Sequence, residues 1–345
     1  MSGISLTGYA RMGGCSCKLG AQELASLCAI PELGRASLPD QAKDDAAIIP
    51  IDNERALVSS IDFQTPIVDD AVVAGEIAAK NALSDIFACG VQPMYADVVL
   101  VLPYGSDAVT IGQDLMRGVA QACREDNCAI VGGHTILGET PVVGLSVLSI
   151  APLEFIKRKS GAQVGDLLLL TKPLGSGIAI AAHQQGLLTN EDFKAALVTL
   201  RQSNRVGARL GSLGGVSAMT DITGFGLLGH MTEVAEGSGV KLRLRWSEIP
   251  LLSGIADAAR EGAVPNLGEN NLFAYQDKIR FVGDLTQHKR LILSDPQTNG
   301  GLLVAISPTA MEQVQAIMVE HGISAHVVGD VANRAADDAW VEVME

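Results

Sequence analysis

At 345 residues, 48% hydrophobic and with 37 glycines, the chain is long enough for two domains and can bury a large core while turning often; aromatics are only 4%, so Val, Ile, Leu and Ala must build that core. A formal charge of −14 argues against a nucleic-acid binder, which needs a basic surface to displace counterions. No basic-then-apolar leader opens the chain and no uncharged apolar run reaches the roughly 18 residues of a membrane span, so a cytoplasmic protein is expected, with Cys15, Cys17, Cys28, Cys89, Cys123 and Cys128 as free thiols.

Residues 1 to about 20 read as a loose arm, interrupted by Gly3, Gly8, Gly13, Gly14 and Gly20. A short helix is expected over 22–30, ended by Pro31. Short strands follow at 46–50 and 56–61, around the turn residues Asp52 and Asn53. Ala and Ile recurring at three- and four-residue steps predict a helix over 71–89, stopped by Gly90. A Val/Leu strand is expected at 95–102, a second helix at 108–126, and further strands at 129–131 and 142–150. Two strand-then-helix units in similar order predict a layered α/β sandwich.

The stretch 154–165 is the expected linker, and its Lys157-Arg158-Lys159 triplet reads as a solvated face. A new strand is expected at 166–171, then helices at 178–183 and 191–200, a Gly-rich strand–turn–helix at 219–236 and a late strand at 302–307. The division that results is an arm over 1–20, a first domain over 21–155 and a second α/β domain over 156–345.

Several aspartates stand at strand ends and turns: Asp44 and Asp45 before a strand, Asp62 at the end of one, Asp221 opening a Gly-rich turn. Each alone reads equally as a cap or turn residue. Asp85 differs, because Leu83, Ile86 and Phe87 surround it; a carboxylate buried there must be paired, protonated or metal-bound. Hard cations such as Mg²⁺ take oxygen ligands and share them with phosphate. The P-loop pattern is absent, yet Gly132-Gly133-His134-Thr135, 220–230 and 294–301 offer glycine turns whose backbone can approach phosphate. In the arm, Cys15-Ser16-Cys17-Lys18 reads as half of a zinc site, as surface thiols, or as a nucleophilic thiol whose thiolate Lys18 favours.

Taken in order, these segments resemble the selenophosphate synthetase family, within the superfamily that includes aminoimidazole ribonucleotide synthetase. The resemblance rests on Gly-Gly-Cys-Ser-Cys-Lys (13–18), Lys-Asp-Asp-Ala-Ala (43–47), Asp62 with Thr-Pro-Ile-Val-Asp (65–69), and Asn-Ala-Leu-Ser-Asp-Ile-Phe-Ala (81–88). It continues through Gly-Gly-His (132–134), Thr-Lys-Pro-Leu-Gly (171–175), Thr-Asp-Ile-Thr-Gly-Phe-Gly-Leu-Leu-Gly-His (220–230) and Asp-Pro-Gln-Thr-Asn-Gly-Gly-Leu (295–302).

The resemblance implies a two-domain fold of the aminoimidazole ribonucleotide synthetase type with a flexible Gly-rich arm. It implies a homodimer, and conversion of ATP, selenide and water to selenophosphate, AMP and orthophosphate. Carried over by position, Cys15 is the catalytic cysteine and Lys18 its partner; Asp45, Asp85 and Asp221 hold Mg²⁺. Lys18, Lys43, Asp44, Asp62, Asp85, Gly133, His134 and Thr135 contact ATP. Potassium is a further expected cofactor, and a selenium-delivery protein a further expected partner. Lys43 stands where an Arg is common, Asn299 where a Ser is usual, and Cys15 where some relatives carry selenocysteine. Rival readings are another synthetase or kinase of the superfamily, a non-catalytic nucleotide-binding protein, and a thiol or metal carrier.

Overall fold

The computed structural model describes residues 5–9, 13–29 and 44–345. Two mixed sheets organise the chain. The first contains β1 (Ala47–Pro50), β2 (Arg55–Gln64), β3 (Tyr95–Pro103), β4 (Ala129–Gly138) and β5 (Val142–Pro152), in the order β1-β2-β5-β3-β4. Only the β3–β4 pair is parallel. The second contains β6 (Leu167–Leu170), β7 (Val216–Asp221), β8 (Lys241–Arg245), β9 (Ile279–Val282), β10 (Leu302–Ile306), β11 (His326–Ala332) and β12 (Val341–Met344), ordered β7-β10-β6-β11-β8-β12-β9.

The helices are α1 (Ala21–Cys28), α2 (Ala71–Ala88), α3 (Ala108–Glu125), α4 (Ser176–Gln184), α5 (Asn190–Leu200), α6 (Val206–Gly211) and α7 (Gly226–Ser238), then α8 (Ile255–Arg260), α9 (Asn266–Tyr275), α10 (Gln287–Leu293) and α11 (Met311–Glu320). No described helix is long and apolar enough to cross a membrane. The α/β character expected from the sequence is therefore present in both halves.

Helix α2 positions the site. Asp70 caps it, its carboxylate accepting from the amides of Val72 and Val73 at 2.9 and 3.1 Å. Nearly the whole helix is buried, because the first sheet, α3 and the second half of the chain surround it. Polar residues on such a helix must find partners. Glu76 and Lys80 do so with Glu125 and Arg201: Lys80 Nζ lies 2.7 Å from Glu125 Oε2, and Arg201 Nη2 lies 2.8 Å from Glu76 Oε2. That network ties α5 to α2.

α2 and α3 touch through backbone. A Cβ on Gly75 would fall 2.1 Å from the Leu115 carbonyl oxygen, and one on Gly118 only 1.9 Å from that of Val72. Gly118→Ala is therefore expected to force the helices apart and cost about 3 kcal/mol. A urea titration should show the midpoint falling at unchanged slope; an unaltered midpoint would mean the helices part without cost.

In the second sheet, β6 is four leucines and β10 is buried throughout. Both faces are covered. Leu168, Leu170, Leu303 and Ala305 pack with Leu227, Leu228 and Met231 of α7. Leu169, Leu302, Val304 and Ile306 pack with Val206 and Leu210 of α6 and Val314 and Met318 of α11. β7 ends at Asp221, so its last side chain is delivered to the edge of this core facing α2.

Candidate active site

Asp45 precedes β1, Asp85 lies in the last turns of α2, and Asp221 ends β7. One carboxylate oxygen from each lies within 4.8 Å of the others. Small hydroxyls fix all three. Ser60 of β2 donates to Asp85 Oδ2, Ser84 Oγ to Asp221 Oδ2 at 2.6 Å, and Thr220 Oγ1 to Asp45 Oδ1 at 2.9 Å. Asn204 supports Ser84 from behind at 2.8 Å. Neighbouring residues 84 and 85 thus hold two of the acids from one helix.

Burial raises the pKa of all three acids. Asp45 is pushed up to about 7 by desolvation, against the pull of Lys159 and with the charge of Asp221 adding to it. Desolvation lifts Asp85 well above 3.8, and the charges of Asp221, Asp62 and Asp45 lift it further. Asp221 is raised by burial as well, and its Oδ1 is buried without a hydrogen-bond partner. Three crowded acids, one with an unpartnered oxygen, fit a hard divalent cation of the Mg²⁺ type.

Outside the cluster, the buried Asp295 is also pushed up to about 7 by desolvation, although the amides of Gly177 and Ile178 and the side chain of Gln297 donate to it. Asp45 and Asp295 therefore keep their protons to about pH 7 when folded, but only to about 3.8 when unfolded. Protonation favours the folded state, in full below pH 3.8 and progressively less up to pH 7. Cation-free protein is expected to melt several degrees higher at pH 5.5 than at pH 8, by calorimetry. Saturating Mg²⁺ should remove the share of this slope that belongs to the three-acid cluster and leave that of Asp295.

The arm docks beside this cluster. Gly14 N donates to the Thr65 carbonyl at 3.1 Å, and Cys15 N to Thr298 Oγ1 at 3.1 Å. Lys18 Nζ lies 2.6 Å from Asp62 Oδ2. Asn81 of α2 joins the groups: its Nδ2 donates to Asp62 Oδ2 at 2.6 Å, while its Oδ1 accepts from Asn299 N at 2.7 Å and faces Cys15 Sγ at 3.6 Å. Cys15 is fully buried, and desolvation pushes its thiol up to about 12 despite Lys18. The thiolate expected beside Lys18 is thus not favoured with the arm seated, because the ammonium is spent on Asp62 and burial outweighs its pull.

Other expectations resolve differently. Gly133, His134 and Thr135 form no turn: they lie inside β4, and β5 and β3 separate that strand from β2, so a single chain does not join them to the acids. Asp44, expected at the nucleotide, binds Arg158 Nη1 at 2.5 Å and the amide of Lys159 at 3.1 Å. Lys43 lies outside the described residues. The basic triplet is not a solvated face throughout: Lys159 is buried, with its ammonium 2.9 Å from Asp45 Oδ1 and 2.8 Å from Glu233 Oε2. No local apolar pattern signals that burial. Asn81, Ser60, Ser84 and Thr298 are likewise site residues whose roles only the tertiary contacts reveal. Within the 220–230 segment, His230 accepts the Thr223 amide at 3.1 Å and burial keeps it neutral, so it braces the turn. Lys172 donates to the Gln202 and Asn299 carbonyls at 2.7 and 2.9 Å and braces the late turn.

Two mixed sheets packed with helices, and an acid cluster drawn from the start of β1, α2 and the end of β7, define a class. Residues 43–151 match the family AIR synthase related protein, N-terminal domain, and residues 163–342 match AIR synthase related protein, C-terminal domain. Solved structures of that shape include a HypE–HypF complex (TM-score 0.68, 18% identity, 94% of this chain and 96% of that one). AaThiL complexed with AMPPCP and TMP is similar as well (TM-score 0.65, 20% identity, 94% and 93%). At such identities they show the fold alone. The chain is 40% identical to a selenide, water dikinase of Aeromonas hydrophila, covering all of both chains, and 37% identical to one of Salmonella typhi, covering 99% and 98%. The chain belongs to the selenide, water dikinase family.

Proposed function

We propose that this enzyme converts ATP, selenide and water to selenophosphate, AMP and orthophosphate, with Mg²⁺ held by Asp45, Asp85 and Asp221. The observation that carries the reading is the seating of Cys15 and Lys18 on Asn81 and Asp62, where Lys18 feels the charge of Asp85 and Cys15 that of Asp221. Bound there, Mg²⁺ would screen the triphosphate and the charge on the phosphoryl group in flight. The rest is work for the chain's own side chains. Lys18, oriented by Asp62, presents an ammonium to phosphate oxygens. Ser60, Ser84 and Thr220 hold the carboxylates in one geometry before any ligand arrives. Cys15 meets selenide. Its buried thiol is neutral with the arm down, so it adds no second negative charge beside hydroselenide and forms no sulfur–selenium bond; selenide enters with the arm raised, and phosphoryl transfer to selenium follows with it seated.

In this reading the division is an arm over 1–20, a nucleotide and dimerisation domain over 21–155 and a second domain over 156–345, in a cytoplasmic homodimer. The dimer is supported by an apolar sheet face left bare. Ile61 is 60% exposed, Phe63 50%, Ile136 54% and Ile150 45%, and the register places them on one face, while every residue of β4 from Ala129 to Leu137 is exposed. An apolar face with an open edge strand calls for a partner. A second copy seated there would supply Gly133, His134 and Thr135 to the nucleotide, beside Lys18, Lys43, Asp44, Asp62 and Asp85.

Phosphorus NMR of ATP turnover, with and without selenide, tests the activity. A selenophosphate resonance accompanied by AMP is expected only with selenide. ADP without that resonance would make the chain a kinase of another kind.

A further inference from the structure

Lys159 is placed with care. Its amide donates to Asp44 Oδ1 at 3.1 Å, Arg158 binds the same carboxylate, and the Arg158 carbonyl accepts from Met219 N of β7 at 3.1 Å. The backbone that carries this lysine is therefore pinned to β7 and to the segment just before β1, the two stretches that supply Asp221 and Asp45. Its ammonium is shared between Asp45 Oδ1 at 2.9 Å and Glu233 Oε2 at 2.8 Å. Of the three clustered acids, only Asp45 has such a cation: hydroxyls alone donate to the described carboxylate oxygens of Asp85 and Asp221. On its other side, Lys159 lines a cavity of about 610 Å³ with Asp44, Glu233, Phe225, Tyr275 and Lys278.

Resting on the metal reading above, we propose that Lys159 is a tethered counter-cation of the metal site. It holds Asp45 while no divalent ion is bound, and it withdraws to Glu233 when one arrives. A divalent ion needs the same Asp45 oxygen and repels an ammonium at hydrogen-bond range. The four-carbon stem of lysine can pivot without releasing Glu233, and the adjoining cavity gives it room. Glu233 is thus a positioning residue, which retains the displaced ammonium. The consequence is a site that binds divalent ions weakly when empty of nucleotide. The triphosphate supplies the extra negative charge that tips the contest, so metal and nucleotide enter together.

The test is Mn²⁺ binding to full-length, nucleotide-free protein, followed by EPR. Lys159→Gln is expected to bind Mn²⁺ at least about tenfold more tightly than wild type, because the competing charge is gone. Lys159→Arg should stay near wild type. Glu233→Gln should bind Mn²⁺ several times more weakly, since the ammonium then has only Asp45. With a non-hydrolysable ATP analogue present, the gap between wild type and Lys159→Gln should shrink. In EDTA the Lys159→Gln protein should melt below wild type and recover with Mn²⁺. Asp221→Asn should abolish binding throughout. If Asp221→Asn abolishes binding but neither the Lys159 nor the Glu233 variant shifts it as stated, the tethered cation is wrong and the metal site stands. If wild type binds no Mn²⁺, or Asp221→Asn leaves binding intact, the metal reading fails and the inference falls with it.

Discussion

Asp221→Asn should lower selenide-dependent AMP formation by about a hundred- to a thousandfold, and yet raise the melting temperature of cation-free protein. The two effects share one cause. Asp221 is buried beside two other acids, and one of its oxygens has no partner. Without a cation, that arrangement stores repulsion, which lifts Asp45 and Asp85 above their ordinary range. An amide keeps an oxygen for the Ser84 hydroxyl, which donates at 2.6 Å, but it removes a charge and a metal ligand. Mg²⁺ should therefore stabilise wild type and leave the variant unmoved. Calorimetry with and without Mg²⁺, beside chromatographic assay of AMP, reads both. A variant that melts lower than wild type without cation would show that Asp221 is a structural carboxylate with a satisfied environment. One that retains full turnover would remove it from the metal set.

What the sequence displays, and what it hides, follows from the range of the interactions concerned. The long helices and central strands were legible because their apolar periods are local: the expected helix at 71–89 is Ala71–Ala88, and that at 108–126 is Ala108–Glu125. The strands β8, β9, β11 and β12 were not read. They are only four to seven residues long, and Arg243 and Arg245 of the charged strand β8 find their carboxylate in Asp330 on the neighbouring strand. Among the acids, Asp85 alone announced itself, through apolar neighbours that demand a partner for any carboxylate among them. Asp45 and Asp221 look like ordinary turn residues until β1 and β7 are brought to α2. Lys159 was misread for the same reason. A basic triplet between two elements has no local feature that distinguishes a solvated lysine from one aimed into a carboxylate pair. The β4 segment shows the converse. Its glycines suggest a turn, yet ten residues continue through them as strand, because pairing with β3 outweighs local preference.

Cys15→Ala is expected to reduce selenide-dependent AMP formation by about a hundredfold or more while leaving the binding of a magnesium-bound ATP analogue intact, because the acids and Lys18 do not depend on the sulfur. Chemical labelling gives the same residue a second, independent reading. With the arm seated, the thiol is buried and pushed up to about 12, so at pH 8 only about one molecule in 10⁴ carries a thiolate. Iodoacetamide should then modify the exposed Cys28 and half-buried Cys17 well before Cys15. Gly14 is the residue to change. It sits at φ +60°, and a Cβ there would lie 2.2 Å from Thr298 Oγ1. Gly14→Ala should unseat the arm, speed the labelling of Cys15 and slow turnover together. Mass spectrometry of timed digests follows the labelling. Cys15 labelling as fast as Cys28 in wild type would mean that the arm spends most of its time raised. Full activity in Cys15→Ala would separate the arm from the handling of selenium and leave Lys18 as its one chemical contribution.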